Sequence, residues 1–301
     1  MIPGGFFFPA IDIFGKSWYN EKGQEAAENI MRTGVSTASL FQRKNNEEAL
    51  PFLDSLGIGT AEVFFTSFSE YGRKFGRTAA KGKGKVDVHS VHVLNTQFEP
   101  QLFSAHPRVN ADAFGWLDRA LAGGAELGAK YYTFHGLARI KRAARSGEGD
   151  DLPALARGLA RIGGFCAARG FSLCLENVEW ALYNRPGVFA AMKEGCPGLA
   201  GVLDVKQARI SRYPYPMYLN EMAGRIAHVH VSDVDERGNI CLPGRGIFDF
   251  SELLKRLADT GFDGPLLVEV YKDDYSDPRQ LKEACDYLDE LLYKFGFSDR
   301  R

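Results

Sequence analysis

Residues 171–176 read Phe171-Ser172-Leu173-Cys174-Leu175-Glu176, a short apolar run that ends in a carboxylate. Further along the chain, residues 200–204 repeat this pattern as Ala200-Gly201-Val202-Leu203-Asp204. Runs this short and this apolar are typical of parallel strands that helices cover. The two runs therefore predict parallel strands of an α/β protein, each followed by a polar side chain at its carboxyl end.

The same alternation of a short apolar run with a helical stretch occurs eight times from residue 32 onward. Eight such units match a (β/α)8 barrel, for which about 250 residues is typical. A doubly wound sheet normally has a glycine-rich phosphate loop after its first strand, and residues 36–40 contain no glycine. We therefore predict a single TIM barrel over residues 31–301, with strands at 33–36, 60–65, 86–93, 130–134, 171–175, 200–203, 226–231 and 266–270.

Residues 1–30 do not join this alternation, and Met31 directly precedes the first predicted strand. We expect either that Met31 is the true start, with residues 1–30 a mis-assigned extension, or that this short N-terminal extension caps the barrel from below. Its apolar stretch at residues 6–8 is flanked by proline and glycine and has no Lys or Arg before it. It therefore predicts neither a signal peptide nor a membrane span.

Composition narrows the class of protein further. The 301 residues carry 37 Lys and Arg against 38 Asp and Glu, a net charge of −1, and 45% are hydrophobic. This balance is opposite to the signature of disorder, and it lacks the basic excess of a protein that grips nucleic acid. The five cysteines are scattered and never spaced as C-x-x-C, which indicates neither a disulfide framework nor a cysteine zinc site. A cytoplasmic protein without a nucleic-acid partner is expected.

Polar residues stand at the carboxyl ends of six predicted strands, where TIM barrels carry their active sites. Any one of them alone is more often a structural residue than a functional one. Several carboxylates at one mouth repel each other, however, and a bound cation is the simplest remedy. A set of three carboxylates and one imidazole suits one divalent cation, with Mn²⁺, Mg²⁺ or Co²⁺ favoured and Zn²⁺ tolerated. The six residues are His92, His135, Glu176, Asp204, His230 and Glu269, of which the last four form the candidate metal set.

Several of these segments resemble the xylose-isomerase-like barrel superfamily of sugar isomerases, sugar epimerases and apurinic endonucleases. The similarity runs over residues 31–292, nearly the whole predicted barrel. The order of the motifs along the chain is more specific than any one of them. They are residues 34–37 (Gly-Val-Ser-Thr), 175–177 (Leu-Glu-Asn), 203–207 (Leu-Asp-Val-Lys-Gln), 228–233 (His-Val-His-Val-Ser-Asp), 242–246 (Leu-Pro-Gly-Arg-Gly), 248–250 (Phe-Asp-Phe) and 264–269 (Gly-Pro-Leu-Leu-Val-Glu).

The resemblance implies a function and roles for individual residues. Glu176, Asp204, His230 and Glu269 correspond to the single divalent-metal site of ketose 3-epimerases, and Glu176 and Glu269 to their catalytic acid/base pair. It implies a metal-dependent sugar isomerase or epimerase that moves a proton through an enediolate of a ketose or related polyol ketone. A metal stabilises the enediolate as a Lewis acid, and inversion needs one proton-transferring group on each face.

Departures from the family pattern bear on the alternatives. Aldose isomerases with two metals typically have a lysine two residues after the first glutamate, where this chain has Val178. The endonucleases hold three zinc ions, yet Gln207, Asn239 and Cys241 stand where they have a histidine, an aspartate and a histidine. Three alternatives stay open: an inosose-type dehydratase on the same site, an abasic-site DNA endonuclease with an incomplete zinc cluster, and a barrel that binds a sugar without turnover.

Four residues outside the candidate metal set are candidate substrate contacts. His92, His135 and Gln207 can hydrogen-bond to sugar hydroxyls, and Arg245 offers the fork of donors that a sugar phosphate would need. The aromatic side chains of residues 180, 183, 213 and 215 can stack on a sugar ring or form a subunit contact. The expected partner is thus a small sugar or polyol, and a homo-oligomer is compatible with the sequence.

Overall fold

The computed structural model describes residues 30–138 and 151–298. Within them, eight parallel strands close into a barrel in the order β1-β10-β7-β6-β5-β4-β3-β2. The predicted (β/α)8 fold is therefore confirmed. The expected N-terminal extension falls almost entirely in residues 1–29, outside the described residues, so its boundary and the start at Met31 stay predictions.

The observed barrel strands lie within a few residues of the predicted ones. Those at 60–65 and 226–231 have the predicted bounds, and a β-branched or aromatic residue stands at both ends of each run. The strands are β1 Arg32–Ser36, β2 Thr60–Phe65, β3 Asp87–Val93, β4 Tyr131–Phe134, β5 Ser172–Glu176, β6 Ala200–Asp204, β7 Ile226–Val231 and β10 Pro265–Val268.

The segment after β7 is more ordered than a loop. Residues Asp233–Val234 (β8) pair in antiparallel fashion with Ile240–Cys241 (β9), which makes a short hairpin beside the barrel. Gly238 in its turn has a φ of +91°, a backbone conformation that favours glycine. This hairpin forms one wall at the carboxyl end of the barrel.

Helices cover the outside of the barrel and leave the strands buried on both faces. The helical stretch predicted after each barrel strand is present in the described residues. None of the helices in the described residues is both long and apolar enough to cross a membrane. The helices are α1 Asn46–Ser55, α2 Arg73–Gly82, α3 Pro107–Leu127, α4 Leu152–Ala167, α5 Val188–Gly195, α6 Val205–Ile210, α7 Tyr215–Met222, α8 Phe250–Asp259 and α9 Gln280–Lys294.

The first strand packs so closely on its neighbours that a methyl group at Gly34 has no room. A Cβ there would lie 2.4 Å from the Thr60 carbonyl oxygen and 2.9 Å from Leu267 Cδ2. We expect Gly34→Ala to lower the free energy of unfolding by about 1–3 kcal/mol, because the backbones must separate. Gly59→Ala is the matched control, since a Cβ at Gly59 meets nothing within 4 Å. Equal urea midpoints for the two variants would contradict this close approach.

Candidate active site

Four polar side chains meet at the carboxyl mouth of the barrel because neighbouring strands end there. Glu176 ends β5, and Asp204 at the end of β6 is the register partner of His230 on β7. Glu269 follows β10 two residues after Leu267, which pairs with His230. One donor atom from each of the four residues lies within 4.8 Å of the others. The residues predicted to form a metal site are therefore brought together.

The Nδ1 atom of His230 is the point on which the carboxylates converge. It lies 3.0 Å from Glu176 Oε1, 3.4 Å from Glu269 Oε2 and 4.0 Å from Asp204 Oδ2. Its other ring nitrogen, Nε2, lies 3.0 Å from Glu62 Oε1. The imidazole thus presents Nδ1 to the three carboxylates and Nε2 to a fourth, deeper one.

The fourth carboxylate, Glu62, belongs to the site but was absent from the predicted set. It is fully buried in β2, where its Oε2 accepts hydrogen bonds from Ser90 Oγ at 2.8 Å and Thr133 Oγ1 at 2.5 Å. His228 Nε2 lies 3.2 Å from the same oxygen. Burial acts to raise the pKa of Glu62, but His230 and His228 outweigh it and hold the pKa well below its usual range. Glu62 is therefore an ionised anchor beneath the mouth.

A buried lysine also enters the site. The Nζ of Lys206, on the first turn of α6, lies 3.5 Å from Glu269 Oε1 and 3.8 Å from Asp204 Oδ2. The ammonium also lies 4.4 Å from the centre of the Tyr271 ring. Burial acts to lower the pKa of Lys206, but Asp204 and Glu269 raise it above its usual value. Lys206 is therefore a fixed positive charge at the edge of the carboxylate cluster.

The electrostatics of the cluster show an excess of negative charge. Burial, followed by the neighbouring Glu176 and Glu269, raises the pKa of Asp204 although Lys206 opposes the shift. The pKa of His230 is also raised well above its usual value, because Glu269, Glu62 and Glu176 outweigh the effect of its burial. The shift of His230, and the smaller part of the Asp204 shift that Glu176 and Glu269 cause, reflect a negative potential at the mouth, which attracts a cation.

The donor set fits a divalent cation. Asp204 Oδ2 and Glu269 Oε2 are buried and have no hydrogen-bond partner among the described residues. Buried oxygens of this kind are costly unless something binds them. Three carboxylates with Lys206 leave two negative charges, which one divalent ion would neutralise. Neutral His230 would contribute Nδ1 as its ligand atom.

His92 and His135, the two histidines predicted to contact the substrate, lie next to this cluster. His92 donates from Nδ1 to the Thr133 carbonyl oxygen at 2.9 Å, which leaves Nε2 as an acceptor. His135 Nε2 lies 2.7 Å from Glu176 Oε2, and its buried Nδ1 has no hydrogen-bond partner in the described part of the chain. The two rings pack edge to face with centroids 4.4 Å apart. Trp180 packs on His135 from the solvent side.

The other two predicted substrate contacts, Gln207 and Arg245, lie in different environments. Gln207 is buried beside the cluster, where its backbone N–H donates to Asp204 Oδ1 at 2.8 Å and its Oε1 accepts from the Glu179 N–H at 3.3 Å. It therefore orients Asp204. The side chain of Arg245 is 57% exposed and forms an ion pair with Glu283 of α9. The structure does not bring Arg245 to the carboxylates, and its substrate contact stays a prediction.

Comparison with known proteins agrees with this barrel and its motifs. The model of the xylose isomerase-like TIM barrel family matches residues 50–291. The chain belongs to this family. The resemblance found from the strand-end motifs is thereby confirmed.

Individual relatives of this xylose isomerase-like barrel are epimerases. L-ribulose-5-phosphate 3-epimerase UlaE of Shigella flexneri is 32% identical over 82 residues, which are 27% of this chain and 29% of the epimerase. The chain therefore matches less than a third of the length of this curated relative. Among solved structures, a D-tagatose 3-epimerase-like protein has a TM-score of 0.71 at 18% identity and covers 88% of this chain and 98% of its own. D-psicose 3-epimerase of Clostridium cellulolyticum H10, solved with D-tagatose, has a TM-score of 0.71 at 16% identity and covers 89% and 100%.

Proposed function

We propose that the protein is a metal-dependent isomerase or epimerase that moves a proton on the carbon next to the carbonyl of a ketose. The observation that carries this proposal is the convergence of Glu176 and Glu269, from different strands, on one ring nitrogen of His230. Two carboxylates around one site are what removal and return of a proton on opposite faces require. The 3-epimerase relatives support the same reaction class.

Glu176, Asp204, His230 and Glu269 would hold the cation, for which we favour Mn²⁺, Mg²⁺ or Co²⁺. When bound, the ion supplies Lewis-acid stabilisation of the negative charge that develops on the substrate oxygens. Asp204 is held in place for this role by the Gln207 N–H on its Oδ1. Lys206 compensates part of the carboxylate charge from the side of Glu269.

The chain's own residues would carry the proton. One glutamate removes it from the carbon beside the carbonyl, and the other delivers a proton to the opposite face of the resulting enediolate. His135 shares a short hydrogen bond with Glu176 and can pass a proton between this carboxyl group and the solvent side. Trp180 and Phe64, which pack on His135 and His92, would restrict water at the reacting carbon.

A nuclease is the second candidate, and one observation favours it. His92, His135 and Glu176 also bring ligand atoms within 4.8 Å of one another, so a second ion could bind there. The residues that would complete a zinc cluster are used otherwise or lie apart. The Asn239 amide donates to Asp235 at 2.9 Å, and Cys241 lies in the hairpin strand β9. We therefore rank the sugar enzyme first. A cytoplasmic location and a homo-oligomer stay predictions.

The proposal is tested by solvent exchange. Purified protein, stripped with a chelator and reloaded with Mn²⁺, Mg²⁺ or Co²⁺, is incubated in deuterated water with a panel of ketoses and ketose phosphates. We expect deuterium at the carbon next to the carbonyl of at least one sugar, and none in the chelated protein. Loss of water in place of epimerisation would indicate the dehydratase. Metal analysis should give about one ion per chain, whereas three zinc ions would favour the nuclease.

A further inference from the structure

The first and last strands of the barrel meet at a seam beside the active site. β1 pairs with β10 in parallel register, with Val35 opposite Val268. β1 ends at Ser36, and residues Thr37–Leu40 continue as a short 3₁₀ helix. Glu269 follows β10 directly, so its peptide groups lie beyond the last backbone pair of the seam.

The side chain of Ser39 takes the place of the next β1 residue. Its Oγ donates to the Val268 carbonyl oxygen at 3.1 Å and accepts from the Val270 N–H at 3.2 Å. In a parallel sheet, one residue likewise bonds to the two residues that flank its partner. The single hydroxyl group therefore brackets Glu269 as a strand residue would. On the other side, the Glu269 N–H donates to the Val231 carbonyl oxygen at 3.0 Å.

Ser39 is itself held against the segment that follows β10. It is fully buried, and its carbonyl oxygen accepts a hydrogen bond from the Tyr275 hydroxyl group. The Arg43 guanidinium lies 4.3 Å from the centre of the Tyr275 ring and donates to the Ser276 carbonyl oxygen at 3.0 Å. A serine hydroxyl that both donates and accepts has little freedom to rotate. The backbone at Glu269 is thus fixed by a loop from the other end of the chain.

A second side chain bridges the strand ladder in a similar way at Asp204. The Asn177 amide donates to the Asp204 carbonyl oxygen and accepts from the Asp204 N–H, both at 2.8 Å. Asn177 directly follows Glu176 and is fully buried. Side chains therefore replace backbone pairing at two of the four candidate metal ligands.

The position of the Glu269 carboxylate depends strongly on this backbone. Its contacts with His230 Nδ1 and Lys206 Nζ are long, at 3.4 Å and 3.5 Å. Such contacts alone leave the carboxylate free to shift. A displacement of about 1 Å at a catalytic group can cost about 100-fold in rate. A loss of the hydroxyl bracket should therefore be visible in the chemistry of Glu269.

We propose that Ser39 is a positioning residue for Glu269, whose carboxylate it directs at the cation and at one face of the substrate. The inference rests on the proposed function and deepens it, because it gives one of the two catalytic glutamates a partner of its own. Glu176 ends β5, which lies across the barrel from β1. Removal of the Ser39 hydroxyl should therefore disturb one glutamate and spare the other.

The first test measures metal binding, which does not depend on turnover. Calorimetry compares Mn²⁺ affinity in a double-mutant cycle of Ser39→Ala and Glu269→Gln. We expect Ser39→Ala to weaken Mn²⁺ binding by about 10-fold when Glu269 is present, and by at most about 2-fold when Glu269→Gln is present. Ser39→Cys keeps a weak donor and acceptor and should give a smaller loss.

Thr33→Ala is the matched control for the same strand. It removes the hydrogen bond from Thr33 Oγ1 to Asp289 Oδ1 at 2.7 Å, which joins β1 to α9. This bond does not involve the segment around Glu269. Mn²⁺ affinity and both exchange rates should therefore stay at the values of the unaltered protein.

The second test measures deuterium exchange of the two epimers separately. Each glutamate exchanges the epimer whose proton lies on its own face, whereas conversion needs both glutamates. The epimer that Glu269 serves is the one that Glu176→Gln still exchanges. Ser39→Ala should slow exchange of this epimer by about 10- to 100-fold and leave exchange of the other nearly unchanged. A general loss of structure would slow both.

The outcomes separate this inference from the proposed function. Equal losses of Mn²⁺ affinity with and without Glu269, or equal slowing of both epimers, would overturn the role of Ser39. If the cycle shows coupling but no ketose exchanges in the unaltered protein, Ser39 positions Glu269 and the proposed reaction fails. If ketoses exchange but Ser39→Ala matches Thr33→Ala in affinity and in both exchange rates, the reaction stands and this inference fails.

Discussion

Glu176→Gln and Glu269→Gln should each abolish epimerisation, with a loss of at least about 10²–10⁴-fold, the usual contribution of one acid/base group. A glutamine keeps the shape of the side chain but cannot accept or return a proton. The loss of catalytic rate should persist at saturating Mn²⁺, so weaker metal binding does not explain it. Activity is therefore measured at saturating Mn²⁺, with the bound metal determined in the same samples.

The two variants should differ in solvent exchange. Without Glu176, the remaining Glu269 can still remove a proton from one face and return deuterium to that same face. One epimer then exchanges without being converted, and Glu269→Gln should show the same behaviour for the other epimer. This opposite pattern is specific to two groups on opposite faces of the substrate, and a merely structural defect would not produce it.

A surface carboxylate provides the control for both variants. Glu126→Gln removes a carboxylate that pairs with Arg73 and Arg77 on the outer helices, and it should leave kcat unchanged. Substantial epimerisation in Glu176→Gln or Glu269→Gln would contradict the assigned pair. Exchange of the same epimer in both variants would contradict their placement on opposite faces.

The sequence predicted the barrel well because its strands are buried on both faces. A short apolar run such as residues 200–203 has few other stable environments, so the sequence is enough to place its strand and the carboxylate of Asp204 directly after it. The hairpin of β8 and β9 could not be predicted in this way. Its strands have only two residues each. They depend on Asp233, whose carboxylate accepts hydrogen bonds from the backbone N–H groups of residues 244, 246 and 248.

Glu62 and Lys206 were missed for different physical reasons. Glu62 stands within the apolar strand Thr60–Phe65, and a charged residue inside such a run is itself a signal of a buried functional group, although it does not lie at a strand end. Lys206 gave no such signal, because a lysine near a helix start is ordinarily solvated. Only the packing of α6 against the mouth brings its ammonium to Glu269. Arg245 shows the reverse case, a loop cation that finds Glu283 on the surface.

Glu62 is the residue through which the buried network controls His230. Its carboxylate can only accept, so with a cation bound and the imidazole neutral it would fix the imidazole proton on Nε2 and leave the Nδ1 lone pair for the ion. Ser36 Oγ donates to the same oxygen at 3.2 Å, and Ser90 and Thr133 hold the other oxygen. The carboxylate cannot rotate without breaking several of these bonds. Such partners of a metal-binding histidine typically change metal affinity when they are removed.

Glu62→Gln should therefore weaken Mn²⁺ or Co²⁺ binding by about 10- to 100-fold. An amide places an NH₂ group toward His230 or toward the donors on the other side, so one of the two sets of contacts is lost. Affinity is measured by calorimetry, and the visible absorption of Co²⁺ reports whether the imidazole still coordinates. Ser90→Ala is the matched control, because it removes one donor and leaves the carboxylate, and it should change affinity only slightly. A folded Glu62→Gln protein with unchanged affinity and an unchanged Co²⁺ spectrum would show that His230 does not need this carboxylate to present Nδ1.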